Sequence, residues 1–158
     1  MARVDDVAAY ILRQQGSMSS MKLQKLAYYS QAWHLVWDEE PLFDEEIQAW
    51  ANGPVIRTLF AKHRGRFSVS EWPWGEPNAL TKSERGTVDA VLKNYGKLSG
   101  RTLSALTHNE RPWLEARRGL GSTDRSDTPI DLETMAEFYT ALEMDPDATP
   151  VEDLVEID

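Results

Sequence analysis

A chain of 158 residues with no cysteine, 41% hydrophobic and 27% charged, has the makeup of a soluble globular domain. The missing thiols exclude disulfide scaffolds, thiol catalysis, zinc ribbons and iron–sulfur sites. With 17 basic and 26 acidic residues the net charge is −9, which repels double-stranded nucleic acid unless a basic face is strongly segregated.

The first residues do not read as a signal peptide, because Asp5 and Asp6 stand where positive charge belongs and no apolar run follows. Val4, Val7, Ala8, Ile11 and Leu12 make one face of a helix, with Gly16 as its stop. Ser19 or Ser20 can cap the next helix, which runs to about Trp37. Beyond its first turn this second helix is apolar on nearly every side, so it is expected to be central and packed all round. Its stretch Leu26 to Trp37 contains Ser30, Gln31 and His34 and is shorter than the ~20 residues that span a bilayer. No membrane segment and a cytoplasmic location are therefore expected.

Ile47 and Ala49 alternate with Gln48 and Trp50, a pattern that permits a short strand. Asn52-Gly53-Pro54 follows as punctuation, and Pro54 fits the opening position of a helix carrying Val55, Leu59 and Phe60. Gly53 is expected to adopt a conformation, or permit a close approach, that a side chain resists. His63 to Leu80 has no sustained period and reads as a long loop. Thr81 to Glu84 is a capping box for a helix with Val88, Val91, Leu92 and Tyr95 inward. Leu103 and Leu106 mark a shorter helix, Pro112 opens another turn, and Asp131 can cap a last helix bearing Met135, Phe138, Tyr139 and Leu142. The expected fold is mainly α, one compact domain of about six helices over residues 1–142 with a short β element. Residues 143–158 form an acidic tail with seven acids and no base, leaving 19 acids against 17 bases in the body. Within it, Val151, Leu154, Val155 and Ile157 are apolar among acids.

No phosphate loop, dinucleotide fingerprint, nucleophile elbow or H-E-x-x-H is present. His34, His63 and His108 are scattered, and neither a metal nor a cofactor is expected. The basic groups His63, Arg64, Arg66 and Arg117, Arg118 read first as solvated faces. Six tryptophans carry the strongest signal. Trp33, Trp37 and Trp113 read as core. Trp72 and Trp74 flank Pro73 in a loop with no helical face to hide in. Either the loop folds back over both, or at least one is exposed as an anchor for a partner.

Three stretches resemble the Panacea domain of SocA-like antitoxins. They are Lys22 to Trp37, KLQKLAYYSQAWHLVW; Pro41 to Phe60, with Ala49-Trp50 and Gly53-Pro54-Val55; and Leu103 to Gly119, with Leu106-Thr107-His108 and Pro112-Trp113. Their order and spacing match, and the resemblance spans about Val4 to Leu142. It implies a mainly helical domain in which Trp33, Trp50, Gly53, Pro54 and Trp113 form a structural signature. It also implies an antitoxin of a type II pair that neutralises a cognate protein toxin by binding it, with alarmone-synthetase-like enzymes among such toxins. A protease adaptor that delivers its toxin to an ATP-dependent unfoldase is the alternative, and an enzyme with a dispersed site is a third reading. For partner contact, Trp72, Trp74, Val151, Leu154 and Val155 are the candidates. The tail is expected to be mobile in the free protein, its acids favouring a basic toxin surface, with docking of Val151, Leu154 and Val155 on the parent domain as the alternative.

Overall fold

Helix α1 (Val4–Gln15) buries the face anticipated from its spacing and ends where the Gly16 N–H closes on the Leu12 carbonyl. This computed structural model describes residues 1–156; Ile157 and Asp158 of the tail lie outside the described residues. A two-residue strand β1 (Met18–Ser19) leads into α2 (Ser20–Trp37), whose N-terminus is capped by the Ser19 hydroxyl accepting from the Lys22 N–H. Helix α2 packs against α1, α4 (Lys82–Tyr95), α5 (Gly100–His108) and α7 (Leu132–Met144), and so is buried on almost every side through His34. Helix α3 (Arg57–His63) and α6 (Arg111–Ala116) complete seven α-helices among the described residues. Among the described residues no helix is long and apolar enough to cross a membrane.

An all-round buried helix has to dispose of its polar side chains, and α2 uses them to satisfy backbone that lies outside helices. Gln31 accepts from the Leu42 N–H at 2.7 Å and donates to the Phe43 carbonyl at 2.9 Å. Gln24 does the same for both backbone groups of Ile56, at 2.8 and 3.2 Å. These two glutamines fix the irregular segment after α2 and the strand that follows it.

That strand corrects the expectation for Pro54. Residues Gly53–Ile56 are β3, paired antiparallel with β2 (Ile47–Trp50) in a tight hairpin, with Trp50 opposite Gly53 and Ile47 opposite Ile56. Helix α3 starts only at Arg57. Pro54 is tolerated because, among the described residues, the hairpin has no third strand beside β3; the groups offered there are side chains of α2, and Pro54 contributes only its carbonyl. On the other edge of β2, the segment around Pro129 adds an isolated bridge to Gln48, with Ala49 N–H on the Thr128 carbonyl and Ile130 N–H on the Ile47 carbonyl.

Inside the span His63 to Leu80, Ser68–Val69 forms β4, pairing with β1, and Pro77–Ala79 forms a 3-10 turn. Trp72 is core, its indole donating to Asp5 at 2.9 Å, while Trp74 stacks edge-on against it and stays 41% exposed. The loop approaches α1 so closely at Gly75 that a Cβ there would lie 1.9 Å from the Asp5 carbonyl oxygen. Asp5 also pairs with Lys62, and Asp6 accepts from the Glu76 N–H, so the first-turn acids of α1 pin this loop.

Two further expectations are corrected. Trp37 is 41% exposed, because α2 runs past the core in its last turn and the indole reaches Glu143 on the surface. The described part of the tail folds back: Val151–Asp153 forms a 3-10 turn against α4, Val151 and Leu154 pack on the core, and Glu156 accepts from Ser99 and Thr102. Val155 alone of the three apolar tail candidates is fully turned to solvent.

A candidate partner-binding cleft

The three signature stretches, far apart in sequence, meet on the β2–β3 hairpin. From α6, Trp113 donates its indole N–H to the Trp50 carbonyl at 2.8 Å. One turn on, Arg117 donates to the Ala49 carbonyl at 3.0 Å, and its guanidinium lies over the Trp113 ring. Arg117 is thus buried and structural, not part of a solvated basic face; its other nitrogen holds the carbonyls of Gly121 and Asp124. From α5, the Ser104 hydroxyl donates to the Asn52 carbonyl. From α2, Lys25 donates to the Pro54 carbonyl at 3.1 Å.

Gly53 sits where these supports converge. Its φ is +119°, and a Cβ would meet the Lys25 Cε at 2.7 Å and the Thr107 hydroxyl at 3.2 Å. Replacement of Gly53 by Ala is expected to lower stability by about 1–3 kcal/mol through backbone strain and displacement of Lys25. Urea unfolding of the variant at neutral pH checks this; an unchanged midpoint contradicts it.

The hairpin, α2 and α3 enclose an open cleft of about 680 Å³, a size suited to a side chain or a short protruding segment. At its base are Gln24, Lys25 and His63, all buried. Gln24 uses its second amide hydrogen on His63 Nε2 at 2.9 Å, which makes that nitrogen an acceptor and the imidazole neutral. Burial first, and the Lys25 charge after it, hold His63 below the ordinary histidine range. Lys25 is 2% exposed and forms no ion pair among the described residues; burial pulls its ammonium down to about 8, so it still carries charge at neutral pH. Trp50 and Phe60 stack edge-to-face at 4.8 Å as an apolar wall. At the mouth stand Arg57 and Arg125, both exposed and without an ion-pair partner among the described residues, and Asp127. Phe67 flanks this face and is 86% exposed, while its carbonyl is fixed by the Ser20 N–H at 2.8 Å.

His108 lies behind the hairpin, stacked on Trp113 at 4.3 Å, with its Nε2 buried and unpartnered among the described residues; burial holds its pKa down as well. No group of three His, Asp or Glu side chains among the described residues comes together as a metal site. Of the partner-contact candidates read from sequence, Trp72 is core, Val151 and Leu154 are half-buried against the core, and Trp74 and Val155 are exposed but do not line the cleft. Of the residues that line the cleft, the sequence marks Trp50 as a signature residue and His63 as a basic group but none for partner contact, although one further signal is readable. A lysine at position 25, in a helix apolar all round, has no solvent face to reach.

The domain is mainly helical and holds one hairpin beside an open cleft with a lysine at its base. The model of the family described as "Antitoxin SocA-like, Panacea domain" matches residues 23–114, and the chain belongs to that family. Comparison with the curated proteins and with the solved structures returned no match.

Proposed function

We propose that this protein is the antitoxin of a type II pair and neutralises a protein toxin in the cytoplasm by binding it directly. Family membership carries the reading: the matched span contains Lys25, Trp50, Phe60 and His63, so the family's own segment builds most of the cleft. In this reading residues 1–142 are the antitoxin domain, and 143–158 an acidic appendage that leaves the cleft open. The family supports a non-enzymatic role, and in this reading the cleft supplies the contact surface. The toxin is sought in the adjacent reading frame, with alarmone-synthetase-like enzymes as the first class to test. Expressed alone, that frame's product should arrest growth, and co-expression of this protein should restore it. Arrest that persists in the presence of abundant folded protein contradicts the proposal.

A further inference from the structure

The chain is acidic overall, yet its cleft is not. Lys25, Arg57 and Arg125 face it against the single carboxylate of Asp127, in a molecule of net charge −9. The two arginines at the mouth have no ion-pair partner among the described residues, and the ammonium at the base makes one hydrogen bond although it has three donors to give. A buried ammonium bonded to one carbonyl is an expensive group to keep unless something completes it. Its desolvation is already carried by the fold, so an anion that reaches it gains strong pairing at little further cost. Above it, Trp50 and Phe60 offer an apolar wall for the stem of an incoming side chain.

We infer that the cleft receives an acidic, protruding segment of the toxin, one carboxylate of which pairs with Lys25 while flanking acids meet Arg57 and Arg125. This rests on the antitoxin reading and gives it a contact chemistry. It reverses the expectation from net charge that the protein seeks a basic surface. The remainder of the molecule supplies repulsion that discourages nucleic acid and leaves the cleft as the place where an acidic partner is attracted.

The test is binding of the purified adjacent-frame toxin to wild type, Lys25→Met, Arg57→Glu and, as a remote control, Lys93→Glu, by calorimetry at low and raised salt. Lys25→Met keeps the stem of the side chain and removes the charge; Arg57 is exposed, so its reversal leaves the fold intact even if the core variant does not fold. Expected are losses of at least about tenfold for Lys25→Met and Arg57→Glu, a weaker salt dependence for Arg57→Glu than for wild type, and no change for Lys93→Glu. Wild-type affinity in both cleft variants overturns the inference and leaves the antitoxin reading standing. No binding by wild type removes the antitoxin reading itself. Displacement of the toxin by a DNA duplex, with the same dependence on Arg57, overturns the inference in favour of a nucleic-acid site.

Discussion

Trp33→Ala is expected to lower the free energy of unfolding by about 3–5 kcal/mol, a large share of what a domain of this size holds. The indole is 3% exposed, one turn before the C-terminal end of α2, and touches two neighbouring helices. It stacks on Trp37 at 5.3 Å and tilts against Tyr139 of α7 at 5.6 Å. Its N–H donates to the Tyr95 hydroxyl of α4 at 3.0 Å. Truncation therefore opens a cavity between three helices and strands a buried hydroxyl, and neither α2 nor α7 can collapse into the gap without losing its other contacts. Trp33→Phe keeps most of the ring burial and gives up the hydrogen bond, so its cost should be about 1–2 kcal/mol. Urea unfolding of both variants measures this; a midpoint unmoved by the alanine would show that the three helices do not depend on this side chain.

The second large effect concerns Glu110, the residue before α6. The residue as a whole is half-buried, but its carboxyl is turned inward among tyrosines. Tyr29 and Tyr139 both donate to it, at 2.7 and 2.8 Å, and with the Tyr139 proton so used, Tyr28 donates to the Tyr139 oxygen at 3.0 Å. Burial raises the carboxyl from its ordinary 4.5 to about 7, and the two hydroxyls restrain that rise. The folded state thus holds a proton that the unfolded chain has already released between about pH 4.5 and 7. Glu110 therefore supports stability at the acid end of that window, and its support is lost as the pH rises through 7. The difference corresponds to roughly 3 kcal/mol. Glu110→Gln keeps an acceptor oxygen for both tyrosines and removes the titration. Stability of wild type relative to this variant should fall by about that amount from pH 4.5 to 8; a difference that does not vary with pH contradicts the assignment.

Much of the fold was legible because its signals are local. The capping box of Thr81 and Glu84, the Asp131 cap and the Ser19 cap each act within one turn and are present as read. The central place of α2 was legible for a related reason, since a helix apolar on every side has no alternative to being packed on every side. Pro54 was misread because Gly-Pro before an apolar run signals a helix start as well as it fits a hairpin. What decides between them is pairing with Ile47–Trp50 and the clamp from Gln24, neither of which the local sequence shows. Trp72 likewise owes its burial to Asp5, which lies 67 residues away in sequence. The cleft was the least legible part: Lys25 comes from α2, Trp50 from β2, and Arg57 and Phe60 from α3, and only the packing of these three elements brings them to one opening. Phe67 carried no periodic signal, and its backbone is fixed by the Ser20 N–H at the start of α2, far from it in sequence.

Neutralisation by direct binding is tested by inhibition of the purified toxin's activity by purified protein, with no protease or nucleotide present. Inhibition should rise with added protein and saturate at a fixed stoichiometry, and Lys25→Met should shift it to higher concentration. Inhibition that appears only when an ATP-dependent protease is supplied, with the toxin degraded, would contradict neutralisation by binding and make the protein an adaptor.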